Sequence, residues 1–97
     1  MGKRIWAFLF ILVFFSFSLS GCYYFSATKE MKAAEQLVSE LKAAGGPTLV
    51  PYEYTSAEKL LENAKLEAGD NDWKHAKEFA TRSQSAAKAG LAQVKKK

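Results

Sequence analysis

Residues 72–94 read DWKHAKEFATRSQSAAKAGLAQV, and their spacing decides the fold. Trp73, Ala76, Ala80, Ser83, Ala87, Gly90, Leu91 and Val94 recur at helical intervals, with Phe79 and Ala86 beside them, which predicts a helix with one apolar face. After the first turn that face consists almost wholly of small side chains. Since the separation of two packed helices is set by the side chains between them, small residues predict a close partner. Asp72 is suited to cap the helix N-terminus with its carboxylate.

Working outward, Gly69-Asp70-Asn71-Asp72 is turn chemistry, with Gly69 expected at the C′ position of a preceding helix. That helix is predicted over 55–68. Thr55-Ser56-Ala57-Glu58 fits a capping box at its start, and Ala57, Leu60, Leu61, Ala64 and Ala68 form its inner face. The two helices are expected to form a tight antiparallel hairpin around Trp73, Phe79, Leu60 and Leu61, which are the candidate packing or partner-facing residues. Upstream, residues 45–54 (GGPTLVPYEY) read as an extended connector whose Leu49, Val50, Tyr52 and Tyr54 lie across the helices. A first helix is predicted over 26–44 from the stripe Ala27, Met31, Ala34, Val38 and Leu41, ended by Gly45-Gly46-Pro47. The expected fold is all-α, with three helices in one domain over residues 22–97.

The N-terminal segment has another composition. Residues 5–15 (IWAFLFILVFF) contain no polar side chain and follow Lys3 and Arg4. A short basic region before about 7–15 apolar residues is the layout of a secretory signal peptide. A spanning helix needs roughly 20 apolar residues. An uncleaved anchor from Ile5 to Phe25 is the geometric alternative, interrupted by Ser16, Ser18, Ser20 and Gly21.

Leu19-Ser20-Gly21-Cys22 resembles the lipobox of bacterial lipoproteins: an aliphatic residue, two small residues and a cysteine. The thiol must accept a diacylglycerol group at the membrane, and small residues before it let the backbone lie extended in the signal peptidase. The resemblance implies removal of residues 1–21 by cleavage between Gly21 and Cys22. It also implies a diacylglycerol and an N-acyl (palmitate-type) chain on Cys22. Cys22 is the single cysteine, so no intrachain disulfide forms, and lipidation gives the exported thiol a use. Tyr23, rather than aspartate, follows it, which for such lipoproteins implies onward transport to the outer membrane, on its periplasmic side. Tyr23, Tyr24 and Phe25 form an aromatic cluster next to the lipid, either a collar at the headgroups or packing for the first helix.

The stretch from Gly69 to Ser83, with Asp72-Trp73, Ala76, Phe79 and Ala80, is similar to the tetratricopeptide repeat, although two extra residues lie in the turn and there is a single unit. Over roughly 27–92 the chain also resembles a family of small bacterial envelope lipoproteins known as a domain of unknown function. That pattern has a first alanine-rich helix, a proline-containing connector, a helix opening near Tyr54-Thr55-Ser56-Ala57, and a Gly-Asp-aromatic turn into an alanine-rich last helix. Relatives often carry a peptidoglycan-binding domain of the outer-membrane-protein-A type, which is not expected within these 97 residues.

Chemistry is sparse. His75 is the single histidine and Cys22 is committed to the anchor, so neither Cys/His catalysis nor a His/Cys metal cluster can be assembled. His75 is expected on the polar side of its helix. Asp70, Asn71 and Asp72 fail as a calcium loop, because position 12 counted from Asp70 is Thr81 rather than glutamate. Glu62, Glu67 and Glu78 read as solvated helix charges. No enzyme, metal or cofactor other than the covalent lipid is therefore expected. The net charge of +4 falls to +2 without Lys3 and Arg4, which argues against a nucleic-acid partner. Lys95-Lys96-Lys97 either complements the helix dipole or contacts anionic lipid or wall polymer. From Cys22 onward the body has 33 hydrophobic residues, 14 of them alanine, so its core is small. The expected function is a lipid-anchored structural or adaptor module that binds another envelope protein or its own copy. The alternative is a peptidoglycan-associated tether between membrane and wall.

Overall fold

The computed structural model describes the backbone of residues 2–97 and the side chains of 2–14 and 23–97. It is all-helical, with no strand among the described residues. Helix α1 spans Gly2–Ala43, α2 Gly46–Leu49, α3 Pro51–Gly69 and α4 Trp73–Lys96. The expected three-helix count is therefore corrected to four among these residues. The predicted helix over 26–44 is the second half of one long helix that already includes the leader. Its sequence explains this: from Lys3 to Ala43 there is no proline, and Gly21 is the single glycine.

The connector is corrected too. Gly45 takes a left-handed conformation (φ 86°), and its N–H donates to Lys42 O, which ends α1 as the glycine pair predicted. Residues 46–49 then form a single helical turn instead of part of an extended connector. Pro51 opens α3, four residues ahead of the expected start at Thr55. Proline's fixed φ suits the first helical position, and Tyr54 N–H already donates to Val50 O at 3.0 Å. Thr55 therefore lies inside the helix, and the Thr55–Glu58 capping box is not used.

The α3–α4 turn is a Schellman motif with Asn71, not Gly69, at C′. Asn71 has φ 61°, its N–H donates to Ala68 O, and Asp72 N–H donates to Glu67 O. Asparagine tolerates the left-handed region that most residues avoid. Asp72 also caps α4 as predicted, its Oδ1 accepting from His75 N–H at 3.2 Å.

Cross-helix contacts set the topology. Tyr24 meets Trp73 and Leu41 meets Gly90, so α1 and α4 run parallel. Ser83 Oγ donates to Ala57 O at 2.7 Å and Lys65 pairs with Glu35 at 3.3 Å, so α3 runs against both. Gln84 Nε2 donates to Glu30 O and Oε2, tying α4 to α1. The core contains Ala34, Val38, Leu41, Val50, Ala57, Leu61 and Ala87, with Tyr54, Leu91 and Val94 packed on it. The hairpin therefore shares its core with α1. Ala76, Ala80, Ser83, Ala87 and Gly90 are the buried residues of α4, the small stripe read from its spacing. With 42 residues in α1 and 24 in α4, rises of about 63 Å and 36 Å follow. The molecule is accordingly elongated, 71 × 21 × 14 Å, with the leader extending past the body.

Candidate functional site

Leu19, Ser20, Gly21 and Cys22 lie outside the described residues as far as side chains are concerned. Two flanking regions bracket them. On one side, nine large apolar side chains between Ile5 and Phe14 are 54–76% exposed. Among the described residues no helix is long and apolar enough to cross a membrane. On the other side stands the aromatic cluster. Tyr24 meets Phe25 edge-on at 5.6 Å and Trp73 at 4.7 Å. Tyr24, itself part of α1, packs against Trp73 of α4 instead of onto the first helix, while Phe25 remains 74% exposed.

Trp73 begins α4, so this contact places the α4 N-terminus at the leader end of the body. Two adjoining cavities sit there. One, of about 440 Å³, is lined by Tyr23, Lys74, Lys77, Glu78, Thr81 and Arg82. The other, of about 420 Å³, is lined by Tyr23, Trp73 and Lys74 with the turn residues Asn71 and Asp72. The guanidinium of Arg82 lies 5.7 Å from the centroid of the Phe79 ring. This basic end, with Lys74, Lys77 and Arg82, was not singled out in the sequence. The missing signal is long-range: the packing of α4 along α1, with Tyr24 on Trp73 and Gln84 on Glu30, brings them beside the leader end.

Lys95, Lys96 and Lys97 stand at the other end of α4, about 35 Å away at 1.5 Å per residue. Lys97 Nζ donates to Leu49 O at 2.7 Å, closing the far end of the body. Of the four hairpin candidates, Leu61 is in the core, while Leu60, Trp73 and Phe79 are half-buried, so they do not form one cluster with it. A groove of about 610 Å³ runs between α1 and α3, lined by Val38 and Leu61 at its floor and by Glu35, Glu58, Glu62 and Lys65 among its charged residues.

Glu67, Asp72 and His75 each bring a ligand-type atom within 4.8 Å of the others, a juxtaposition missed in the sequence because the Schellman turn creates it. His75 is exposed, as expected, and its Nδ1 lies 2.7 Å from Asp72 Oδ2. The His75 backbone N–H, opposed by partial burial and aided by the His75 ring and Glu67, holds the Asp72 carboxyl below its ordinary value. Both Asp72 oxygens are thus occupied by His75, and Asp72 caps the N-terminus of α4. No protein-family model, curated protein or solved structure matches the chain to a significant degree.

Proposed function

We propose that the chain is a lipid-anchored protein of the bacterial envelope, acylated on Cys22 and acting as a structural or adaptor module. The observation that carries this reading is the exposed apolar leader from Ile5 to Phe14 standing directly before Leu19-Ser20-Gly21-Cys22. Exposed apolar surface of this extent is costly in water, at roughly 25 cal/mol per Å², and a bilayer removes that cost during export. Two or three acyl chains then hold the processed chain, since one chain binds only marginally. The absence of aspartate after Cys22 favours the periplasmic side of the outer membrane.

The body supplies a surface for a partner instead of a reaction centre. Its tetratricopeptide-like hairpin leaves the groove between α1 and α3 open, with an apolar floor and mixed charges around it. An envelope protein or a second copy of the chain would cover that groove. Mass spectrometry of the mature N-terminus tests the anchor: an acylated Cys22 is expected, and an unmodified Cys22 or retained residues 1–21 would overturn it. A photo-crosslinker at Ser39 or Glu62 in living cells tests the groove, with a defined protein adduct or a dimer expected.

A second reading, a tether to peptidoglycan, is favoured by one feature. The triple lysine lies at the end of α4 farthest from the leader, where it would face the wall once the leader end lies at the membrane. Binding of the chain to purified sacculi, lost when Lys95–Lys97 are deleted, would select this reading over the adaptor.

A further inference from the structure

We infer that the leader end of α4 is a docking surface for the anionic lipid headgroups of the membrane that holds the chain, with Lys74, Lys77 and Arg82 binding the phosphates and Tyr23 and Trp73 lying at the headgroup level. The inference rests on the anchoring reading and adds to it a specific orientation and a lipid preference.

Three observations converge on it. Tyr23 is the residue after Cys22, so the chain itself holds it within one residue of the acyl chains. Tyr23 also lines both cavities at this end, the second of them together with Trp73, so the cavities lie at the level of the anchor. The larger cavity presents three cations against the single carboxylate of Glu78. Among the described residues neither Lys74, Lys77 nor Arg82 has an ion-pair partner, the two pairs there being Lys65–Glu35 and His75–Asp72. Cations beside a membrane surface are attracted by anionic headgroups, and tyrosine and tryptophan rings favour that same interfacial zone. Phe25, 74% exposed on the neighbouring α1 turn, adds apolar surface at the same level.

An acidic protein segment would meet the same cations, but it has no reason to require the aromatic residues or the adjacency to Cys22. Lys95–Lys97 cannot share the task, because the length of α4 separates them from Tyr23 by about 35 Å. The anionic-lipid contact that was one alternative for Lys95–Lys97 is thus better made by the cations toward the opposite end of the same helix.

The test uses the full acylated chain reconstituted into vesicles. Trp6 and Trp73 are the two tryptophans, and Trp6 lies in the leader, so Trp73 alone reports from the processed chain. Its fluorescence is compared in vesicles of phosphatidylcholine and in vesicles with about one third phosphatidylglycerol, each carrying lipid brominated near the glycerol. Quenching is expected to be at least about threefold stronger with phosphatidylglycerol and to fall back when salt screens the surface. Lys74→Glu/Lys77→Glu/Arg82→Glu should reduce it to the phosphatidylcholine level, the corresponding triple glutamine variant should reduce it in part, and Lys95→Glu/Lys96→Glu/Lys97→Glu should leave it unchanged. Flotation with phosphatidylcholine vesicles reads the anchor separately. A chain that does not float overturns the anchoring reading and the docking with it. A chain that floats overturns the docking alone if its quenching is the same in both vesicle types, or is unchanged by the glutamate variant with helicity intact.

Discussion

The two ends of α1 share one backbone and bury their side chains in opposite ways. Between Ile5 and Phe14 the residues are large and apolar on every side of the helix, and all the large ones are exposed. From Ala27 to Leu41 the apolar residues recur as one stripe, and Ala27, Ala34, Val38 and Leu41 are buried against the other helices. An all-round apolar helix has no protein solution in a chain this small, because two partner helices can cover one face only. A striped helix has one. The difference teaches that the body covers its apolar stripe with its own helices while the leader is left uncovered by them, although no break in the helix separates the two.

The largest way to break this comparison is chemical. On the proposed anchoring, Cys22→Ser leaves no thiol to take the lipid, so labelling of the chain with a tagged fatty acid is expected to fall to background. The variant's thermal unfolding should stay within about 2–4 °C of the parent, the shift that a change of roughly 0.5 kcal/mol brings in a domain of this size. Loss of thermal stability instead would mean that the segment belongs to the body. The mirror experiment is Leu41→Ala. Leu41 is fully buried and stands against Gly46 and Gly90, so truncation should cost about 3 kcal/mol in denaturant unfolding while leaving membrane fractionation as it was.

Those two residues also mark what the sequence could and could not disclose. Periodicity picked out Leu41, Ala57, Leu61, Ala80 and Gly90, because burial of one helical face repeats every three to four residues and leaves its imprint on a single chain. The Asp72 cap was legible for the same reason: its partner is three residues away. Helix starts were less so. Thr55 and Glu58 offered a capping box, yet Pro51 began the helix earlier, with Val50 buried before it and no side chain capping the turn. Gly69 offered a C′ residue, yet Asn71 took the left-handed conformation because the Schellman bonds close from Ala68 and Glu67. Of the candidate site, the Cys22 anchor is a proposal from four adjacent residues whose side chains lie outside the described ones. The basic cavity was not legible, since Tyr23 and Lys77 are 54 positions apart and join only through helix packing.

Within the body, the comparison sharpens at its glycines. A Cβ on Gly90 would come within 2.8 Å of Leu41 Cδ2 and 3.1 Å of Glu53 Cβ, whereas one on Gly69 would meet nothing within 4 Å. Alanine is the better helix former by about 1 kcal/mol, so both substitutions carry the same local gain. At Gly69 little opposes it, and a slight stabilisation is expected. At Gly90 the buried Leu41 must give way, at a cost of roughly 1–3 kcal/mol for overpacking. Gly90→Ala is therefore expected to lower stability by about 1 kcal/mol net, measured by denaturant unfolding beside Gly69→Ala. Equal gains at both sites would show that α1 and α4 are not in close contact there.

The smallest effect concerns the turn that lets α3 and α4 meet. The Asp72 carboxyl is held below its ordinary value mainly by the His75 backbone N–H at the start of α4. A group whose folded pKa lies below its unfolded pKa supports the fold above the unfolded value, near pH 4, and loses that support as pH falls through the folded value. Amide exchange over Trp73–Lys77 should therefore be slow at pH 5 and speed up, relative to the intrinsic rate, on acidification below about pH 4. Asp72→Asn keeps an oxygen acceptor for the His75 N–H but cannot titrate, so the first turn should remain capped and the acid-induced opening should vanish. Asp72→Ala should open the turn at every pH. Were Asp72→Asn to open it as well, the charge facing the helix dipole, and not the capping hydrogen bond, would be what holds the α4 N-terminus, and with it Trp73, against the leader end of the body.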